Sequence, residues 1–464
     1  MVSVDDFRRK AAEAIADARM QGALERATAK FREGRTRALA ELPDADALRD
    51  HFKRVRAATL ARLAEHLETF EQNALAAGAQ VHWCETAEDA ARLITALAAQ
   101  HGARLAVKSK SMTTEEIHLN HALEAANVQP VETDLGEWII QLAHEPPSHI
   151  IGPAIHKTRE QVAALFSREV GRPLPPDDVG VLTAEARRLL REKFLAAGIG
   201  ISGVNVAVAE TGSVVLVTNE GNGRMVTSVP PVHVAVMGIE KIVPTWRDAA
   251  AWLALLARSA TGQPMSIYTS VITGPARAED PDGPREVHIV ILDNGRSRAL
   301  ASPFEEALQC IRCGACLNVC PVYREAGGHA YGNPYSGPIG AIVAPLLFGV
   351  EAMSGLPQAS TLCGACLDVC PARIDIPRML LEWRAVEVER RLVPWYERVG
   401  ERLAAWVLAH PRLLRLVRRL AATGQRLFLR DGQIRLPGRW HPAGERDLPA
   451  LASRPFRDWW RENA

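Results

Sequence analysis

CIRCGACLNVCP (residues 310–321) and STLCGACLDVCP (360–371) are two copies of one device, and their reading decides the architecture. Overlaid, they share C-G-A-C-L-x-V-C-P and part at the first position, Cys310 in one and Ser360 in the other. The first copy runs C-x2-C-x2-C-x3-C-P through Cys310, Cys313, Cys316, Cys320 and Pro321. A zinc site usually takes two cysteines from one C-x-x-C knuckle and two from elsewhere. Three cysteines in steps of three, then one before proline, is instead the run that holds iron–sulfur clusters. One turn of chain wraps three corners of a cube, and the fourth thiolate points to a second cluster. That exchange assigns Cys310, Cys313, Cys316 and Cys370 to one cluster, and Cys320, Cys363 and Cys366 to the other. Gly314 and Gly364 let the backbone approach the sulfides, where amide N–H groups can donate to them.

Ser360 leaves the second cluster one corner short. A [3Fe–4S] cluster needs only three protein ligands, a [4Fe–4S] cluster can accept oxygen, nitrogen or solvent, and a partner chain can supply the fourth. Ser360 itself is a poor ligand unless deprotonated. Two such clusters form a wire that passes single electrons and accepts no hydride, so this half moves electrons and breaks no C–H bond. The roughly 40 residues between the copies suit short helices. The segment resembles the helical ferredoxin domains of succinate dehydrogenase and glycolate oxidase iron–sulfur subunits. In the first of these a similarly depleted motif holds [3Fe–4S], which keeps that type open.

The rest of the chain sets the bounds. At 464 residues it implies two or three domains. With 47% apolar and 23% charged residues and a net charge of +1, it carries no overall nucleic-acid or membrane signal, and no DNA-reading element is evident. Seven of eight cysteines fall within 310–370, which points to metal in a reducing compartment and leaves Cys84 as a small core residue. The N-terminus alternates charges with Ala and lacks the apolar region of a secretory leader. IGAIVAPLLFGV (339–350) is too short to span a bilayer. The expectation is a cytoplasmic protein, with peripheral contact to the inner membrane left open.

Composition divides the chain into an N-terminal helical segment (1–55), an α/β domain (56–295), a helical iron–sulfur domain (296–385) and a basic helical C-terminal region (386–464). One helix is expected over about 46–77, with Leu60, Leu63, Leu67 and Phe70 on a buried face. From 79 to 295 strands and helices alternate, predicting a largely parallel sheet covered on both faces that becomes mixed where later strands crowd. Thr86 is expected to cap one helix, and Thr113 with Glu116 to form a capping box. WVLAHPRLLRLVRRLAATGQRLFLR (406–430) has Leu and Val at helical spacing with Arg between, a face suited to membrane docking or to a partner. The chain then ends irregularly from 436 on.

No P-loop, HExxH or GxSxG occurs. GNGRMV (221–226) lacks the third glycine of a dinucleotide fingerprint and is expected to lack its strand–turn–helix setting as well. Two polar clusters are candidate substrate-binding sites. Lys108, Lys110 and Ser111 lie between a strand end and a helix start, where anions commonly bind. Glu210, Asn219, Glu220 and Arg224 flank a Val-rich strand and are expected to converge on one edge. Glu132 and Asp134 end another strand, and His118, His121 and His233 read as surface or core residues.

VKSKSMTTEEIHLNHALE, ETDLGEWIIQLAHEPPSHIIGPAIHKTREQVAALF, GISGVNVAVAETGSVVLVTNEGNGRM and CIRCGACLNVCPVYREAGGHAYG closely resemble the lactate utilization protein B family, from about residue 20 to the FRDWWREN tail. The resemblance implies a LUD domain of the CoA-transferase and ribose-phosphate-isomerase fold group joined to a helical ferredoxin domain. It implies a part in oxidising L-lactate to pyruvate beside two partners, a cysteine-rich iron–sulfur subunit (protein A) and a second LUD protein (protein C). It also implies two [4Fe–4S] clusters on the seven matching cysteines, with the departure at Ser360 shared by the family. It names no lactate-binding residue.

An electron-transfer subunit of an oxidoreductase complex is the leading reading. One alternative makes this chain the lactate dehydrogenase itself, with L-lactate at Lys108, Lys110 and the Glu210 loop; a bound flavin would favour it. The other is a redox-sensing scaffold, which the paired motifs disfavour because a sensor needs one labile cluster.

Overall fold

The N-terminal rhythm of charge and Ala folds into helices in the computed structural model, which describes residues 2–430, 433–434, 448–452, 454 and 456–463. These are α1 (Val4–Ala16), α2 (Ala18–Ala40), α3 (Ala45–Ala61) and α4 (Leu63–Ala76). Two helices therefore stand where one was expected over 46–77. Arg62, at φ −125°, ψ 33°, leaves the helical region and separates them. The expected face still holds, for Leu60, Leu63, Leu67 and Phe70 share one core.

The alternating region contributes β1 (Gln80–Cys84), α5 (Ala87–Gln100), β2 (Leu105–Lys108), α6 (Met112–Glu116), α7 (Leu119–Ala125) and β3 (Gln129–Glu132). Then follow α8 (Leu135–Ala143), α9 (Arg159–Val170), α10 (Val179–Ala196), β4 (Ile199–Gly203), β5 (Val206–Val208), β6 (Ser213–Thr218) and α11 (Asn222–Ser228). It closes with β7 (Val232–Gly238), β8 (Ile242–Val243), α12 (Trp246–Ala260), β9 (Tyr268–Ile272) and β10 (Glu286–Leu292). Six strands form a wholly parallel sheet in the order β1-β10-β7-β4-β2-β3. Alternation along the strands buries both faces. Val234, Val236, Val290 and Leu292 pack with Ile94, Leu97 and Leu119, whereas Ala235, Met237, Ile289 and Ile291 pack with Leu67 and Phe70.

The mixed region is not part of that sheet. β8-β5-β6-β9 make a separate four-stranded sheet with antiparallel β5–β6 and β6–β9 pairs. GISGVNVAVAE splits between the two sheets at Val204–Asn205, where the Asn205 side chain accepts from Val217 N–H at 2.9 Å. Thr86 caps α5 as expected, in a box with Asp89. The box expected of Thr113 and Glu116 does not form: Ser111 caps α6, accepting from Thr114 N–H at 3.2 Å, while Glu116 is drawn to Arg296. GNGRMV does lie in a strand–turn–helix setting, with Gly221 at the N-cap of α11 and residues 222–226 in its first turns after β6, which corrects that expectation; the third glycine is still missing.

Short helices α13 (Ala315–Val319), α14 (Pro321–Ala326), α15 (Gly337–Phe348), α16 (Ala365–Val369) and α17 (Ile376–Glu389) carry the cysteine segment. The chain divides into two compact units, Met1–Val386 and Glu387–Ala464. Boundaries placed at 55/56 and 385/386 fall inside α3 and α17. Within the first unit α2 crosses the end of α12 at two glycines; a Cβ on Gly262 (φ +72°) would lie 2.3 Å from the Gly34 carbonyl carbon.

In the second unit α18 (Trp395–Ala409) and α19 (Pro411–Gly424) are separate helices, because Pro411 lacks the N–H needed to continue α18 and starts α19 instead. The last stretch is not wholly irregular, since α20 spans Phe456–Asn463; residues 436–447 of that reading lie outside the described residues. Among the described residues no helix is long and apolar enough to cross a membrane.

Candidate functional site

The two cysteine copies fold alike. Arg312 (φ 59°) and Gly314 (φ 75°) in the first match Leu362 (φ 55°) and Gly364 (φ 85°) in the second. Alternate left-handed residues turn successive amides inward, a geometry that cradles anionic sulfur. Arg312 N–H donates to Cys310 Sγ at 3.4 Å, and Leu362 N–H donates to Ser360 Oγ at 3.1 Å, so the hydroxyl stands where the thiol stands in the first copy. Cys320 caps α14 by accepting from Tyr323 N–H at 3.5 Å, with Pro321 opening the helix.

Cys310, Cys313, Cys316 and Cys370 line one cavity, walled by Ile311, Ile339 and Ile374. Cys320, Cys363 and Cys366 lie close enough to influence one another, and Cys316 feels Cys366, so the two groups adjoin. Helices from the far end of the sequence hold the second copy in place. Arg35 Nη2 donates to Val369 O at 2.8 Å, and Arg49 donates to Cys370 O at 2.9 Å and to Asp368 O. Burial pushes the Cys313 and Cys366 thiols up to about 12 and Cys370 to about 11. Cys363 is exposed, and the Ala365 N–H lowers it. All eight cysteines are free. Thiols gathered around a cavity with apolar walls, with amides aimed at them and no disulfide, are the donor set of a soft-metal cluster, so the residues fit the iron–sulfur group that their spacing implies.

A second cavity of about 460 Å³ opens between the α/β sheet and the cysteine loop. Lys110, Ser111, Asn219 and Glu220 line it; Lys108, Glu210 and Arg224 do not. β2 ends at Lys108, so Lys110 lies beyond the strand and is not held to the face that Lys108 takes. Lys108 is buried between Glu132, at 2.5 Å, and Asn120. Burial opposes its charge, but Glu132 and Glu115 more than restore it. The Lys110 ammonium is buried with no hydrogen-bond partner. Glu210 accepts from Trp246 N–H at 2.6 Å, and Arg224 is exposed. Glu210 and Asn219 flank opposite ends of β6, whose six residues span roughly 20 Å, so they do not converge. Asn219 donates to Gln263, and Glu220 accepts from Leu135 N–H; burial, then Asp134, raises Glu220 to about 7. His118 and His121 are exposed, and His233 is buried against Ser202.

Sequence reading missed the charged wall of this cavity. Glu240 and Lys241 interrupt an apolar run, and two adjacent charges between buried strands were the available signal. Arg296 grips Glu116 with two bonds of 2.9 and 2.7 Å and lies 2.8 Å from Glu240. Tyr335 donates to Glu116 at 2.6 Å, and Arg312 lies over the Tyr335 ring at 4.8 Å. Burial opposes ionisation of Glu240, yet Arg296, Lys241 and Arg312 hold it down to about 2.

Two family models match the chain, the LUD domain over residues 67–292 and the 4Fe-4S dicluster domain over 306–374. The chain is 42% identical over 462 residues to an uncharacterized electron transport protein, YkgF, of Escherichia coli (strain K12), covering 99% of this chain and 97% of that one. It is 44% identical over 413 residues to lactate utilization protein B of Geobacillus kaustophilus (strain HTA426), covering 88% and 87%. With lactate utilization protein B of Bacillus velezensis (strain DSM 23117 / BGSC 10A6 / LMG 26770 / FZB42) the identity is 42% over 465 residues, covering 98% and 96%. A LUD domain on a parallel sheet, continued into a 4Fe-4S dicluster domain and aligned nearly end to end with these relatives, places the chain in the lactate utilization protein B family.

Proposed function

We propose that the chain is the iron–sulfur electron-transfer subunit of an assembly that oxidises L-lactate to pyruvate, working beside the cysteine-rich protein A and the LUD protein C. The observation that carries this is the adjacency of two cysteine groups, one of four residues around a single cavity and one of three beside it. When bound, iron–sulfur clusters take up and release electrons singly. In this reading Cys310, Cys313, Cys316 and Cys370 hold a [4Fe–4S] cluster. Cys320, Cys363 and Cys366 hold a second [4Fe–4S], or a [3Fe–4S], with Ser360 Oγ already engaged by Leu362 N–H. The amides of Arg312 and Ala315 donate to the first set, and exposed Cys363 brings the second toward the surface, where a partner could exchange electrons.

Low-temperature EPR on the anaerobically purified chain, with and without L-lactate, tests the assignment. The isolated chain should keep its spectrum, and lactate should reduce the clusters once proteins A and C are added. Failure of reduction with all three present would sink the reading.

Lys110, Ser111, Asn219 and Glu220 around the larger cavity support a substrate site on this chain. Lys110→Met should weaken lactate-dependent cluster reduction about tenfold, the order expected for losing one hydrogen bond from a charged donor to the substrate's hydroxyl, with iron content unchanged. Full lactate dependence in that variant would move the substrate elsewhere. Lys108 is a poor probe, because its loss strands Glu132.

The second unit supports peripheral membrane contact. α19 carries Arg412, Arg415, Arg418 and Arg419 with no acidic residue, and Leu416, Val417 and Leu420 are exposed. Arg415→Glu with Arg418→Glu should abolish sedimentation with vesicles containing anionic lipid; sedimentation equal to the unaltered chain would refute membrane docking.

A further inference from the structure

The 460 Å³ cavity has two chemically different ends. Lys110, Asp134 and Glu220 influence one another at one end; Lys241, Arg312 and Glu240 do so at the other, together with Cys310. Around the second end, Arg56, Lys241, Arg296 and Arg312 are faced by two carboxylates, Glu116 and Glu240, so the side chains there hold two more cations than carboxylates, turned toward the Cys310 thiol. Arg56 is spent on the carbonyls of Glu240, Ile242 and Leu308, and Arg296 on Glu116. Of these four, the two that line the cavity, Lys241 and Arg312, are less engaged. Arg312 Nη1 is buried without a hydrogen-bond partner, and Lys241 Nζ reaches Cys310 O only at 3.5 Å. Buried donors left unpaired in a polar cavity call for an acceptor that fills it.

We propose that this cavity binds a small monocarboxylate, held by Arg312 and Lys241, and that its occupancy is coupled to the charge on the cluster carried by Cys310. A guanidinium beside an ammonium matches a carboxylate's two oxygens. At the opposite end Asp134 and Glu220 already face Lys110, which leaves little positive charge there for a second anionic group and offers donors and acceptors to a hydroxyl or keto substituent. The coupling follows from connectivity, since Arg312 donates its backbone N–H to Cys310 Sγ and Lys241 donates to the Cys310 carbonyl. An electron on the cluster and an anion on these side chains compete for the same positive charge. By reciprocity the reduced cluster weakens carboxylate binding and the bound carboxylate lowers the cluster's potential. Electron arrival then favours release of an anionic product. The inference deepens the substrate reading above and rests on it only for the choice of L-lactate and pyruvate as the natural ligands.

Calorimetric titration of the full, cluster-loaded chain under anaerobic conditions tests this, using L-lactate, pyruvate, propionate and inorganic phosphate as probes. Each is titrated into oxidised protein and into protein reduced with dithionite and desalted. Carboxylates should bind saturably, about tenfold more weakly after reduction. By linkage that ratio is a fall of about 59 mV in a one-electron potential at saturation. Lys241→Gln should weaken binding at least about tenfold at unchanged iron content; Arg312→Lys, which keeps the charge and loses the fork, serves if Lys241→Gln fails to load. Absence of saturable carboxylate binding, tighter binding of phosphate, equal affinity in both redox states, or unchanged binding in both variants would overturn the proposal. Propionate and pyruvate binding without L-lactate would support the site and count against the lactate reading. Lactate-driven reduction of the assembled subunits with no carboxylate bound to this chain would overturn the site alone.

Discussion

Cys313→Ser should leave the chain with roughly half its iron, one of two clusters, and stop lactate-driven electron flow through the assembly. Cys313 is 7% exposed, lies in the cavity shared with Cys310, Cys316 and Cys370, and accepts from the Ala315 N–H. A serine hydroxyl there keeps the shape and removes the soft, ionisable donor, and three thiolates must then hold what four held. Ser360 shows that the fold tolerates a hydroxyl at a nest position, its oxygen satisfied by Leu362 N–H, so the loss expected at Cys313 is of metal and not of shape. Iron analysis with EPR reads the first effect, and turnover with the partner subunits reads the second. Full iron, or normal turnover with one cluster missing, would contradict a two-cluster wire.

Arg296→Met should cost about 3–5 kcal/mol of stability, the range for stripping one partner from a buried ion pair. Glu116 and Glu240, both 2% exposed or less, would each lose their nearest guanidinium. Pairing Arg296→Met with Glu116→Leu should recover part of the loss, because a buried carboxylate without a partner is worse than an apolar replacement. Urea unfolding of the anaerobic chain compares the three proteins. An Arg296→Met midpoint equal to that of the unaltered chain would show that this network carries no net stability. Glu116 begins in the α/β part and Tyr335 in the cysteine segment, so the loss should also speed release of iron during incubation.

Much of the fold was legible because its determinants are local. Strand alternation is visible in Val234-Ala235-Val236-Met237, whose even and odd residues enter different cores. Thr86 and Asp89 announce their capping box within four residues. Ser111 is the less visible cap because Thr113 and Glu116 match the capping-box spacing while Ser111 has Thr114 three residues on. The helix nevertheless starts at Met112, which puts Thr113 inside it, and Glu116 turns to the distant Arg296. The split into two sheets escaped notice because β4 and β5 read as one Val- and Ile-rich run. Which sheet each half joins depends on partners far along the chain.

The sequence by itself determined the cysteine device: repeated steps of three, a glycine between two of the cysteines, and a serine in place of one thiol are properties of twelve consecutive residues, whereas the left-handed turns at Arg312 and Leu362 carry no such mark. Only the tertiary structure decided what the lone charges do. Lys108 and Lys110 are two residues apart and equivalent on paper, yet one is consumed by Glu132 and the other faces a cavity. Lys241 and Arg312, 71 residues apart, meet at the same wall. Coulomb energy and desolvation depend on distance in space and on depth from water, and neither quantity exists until the chain has closed on itself.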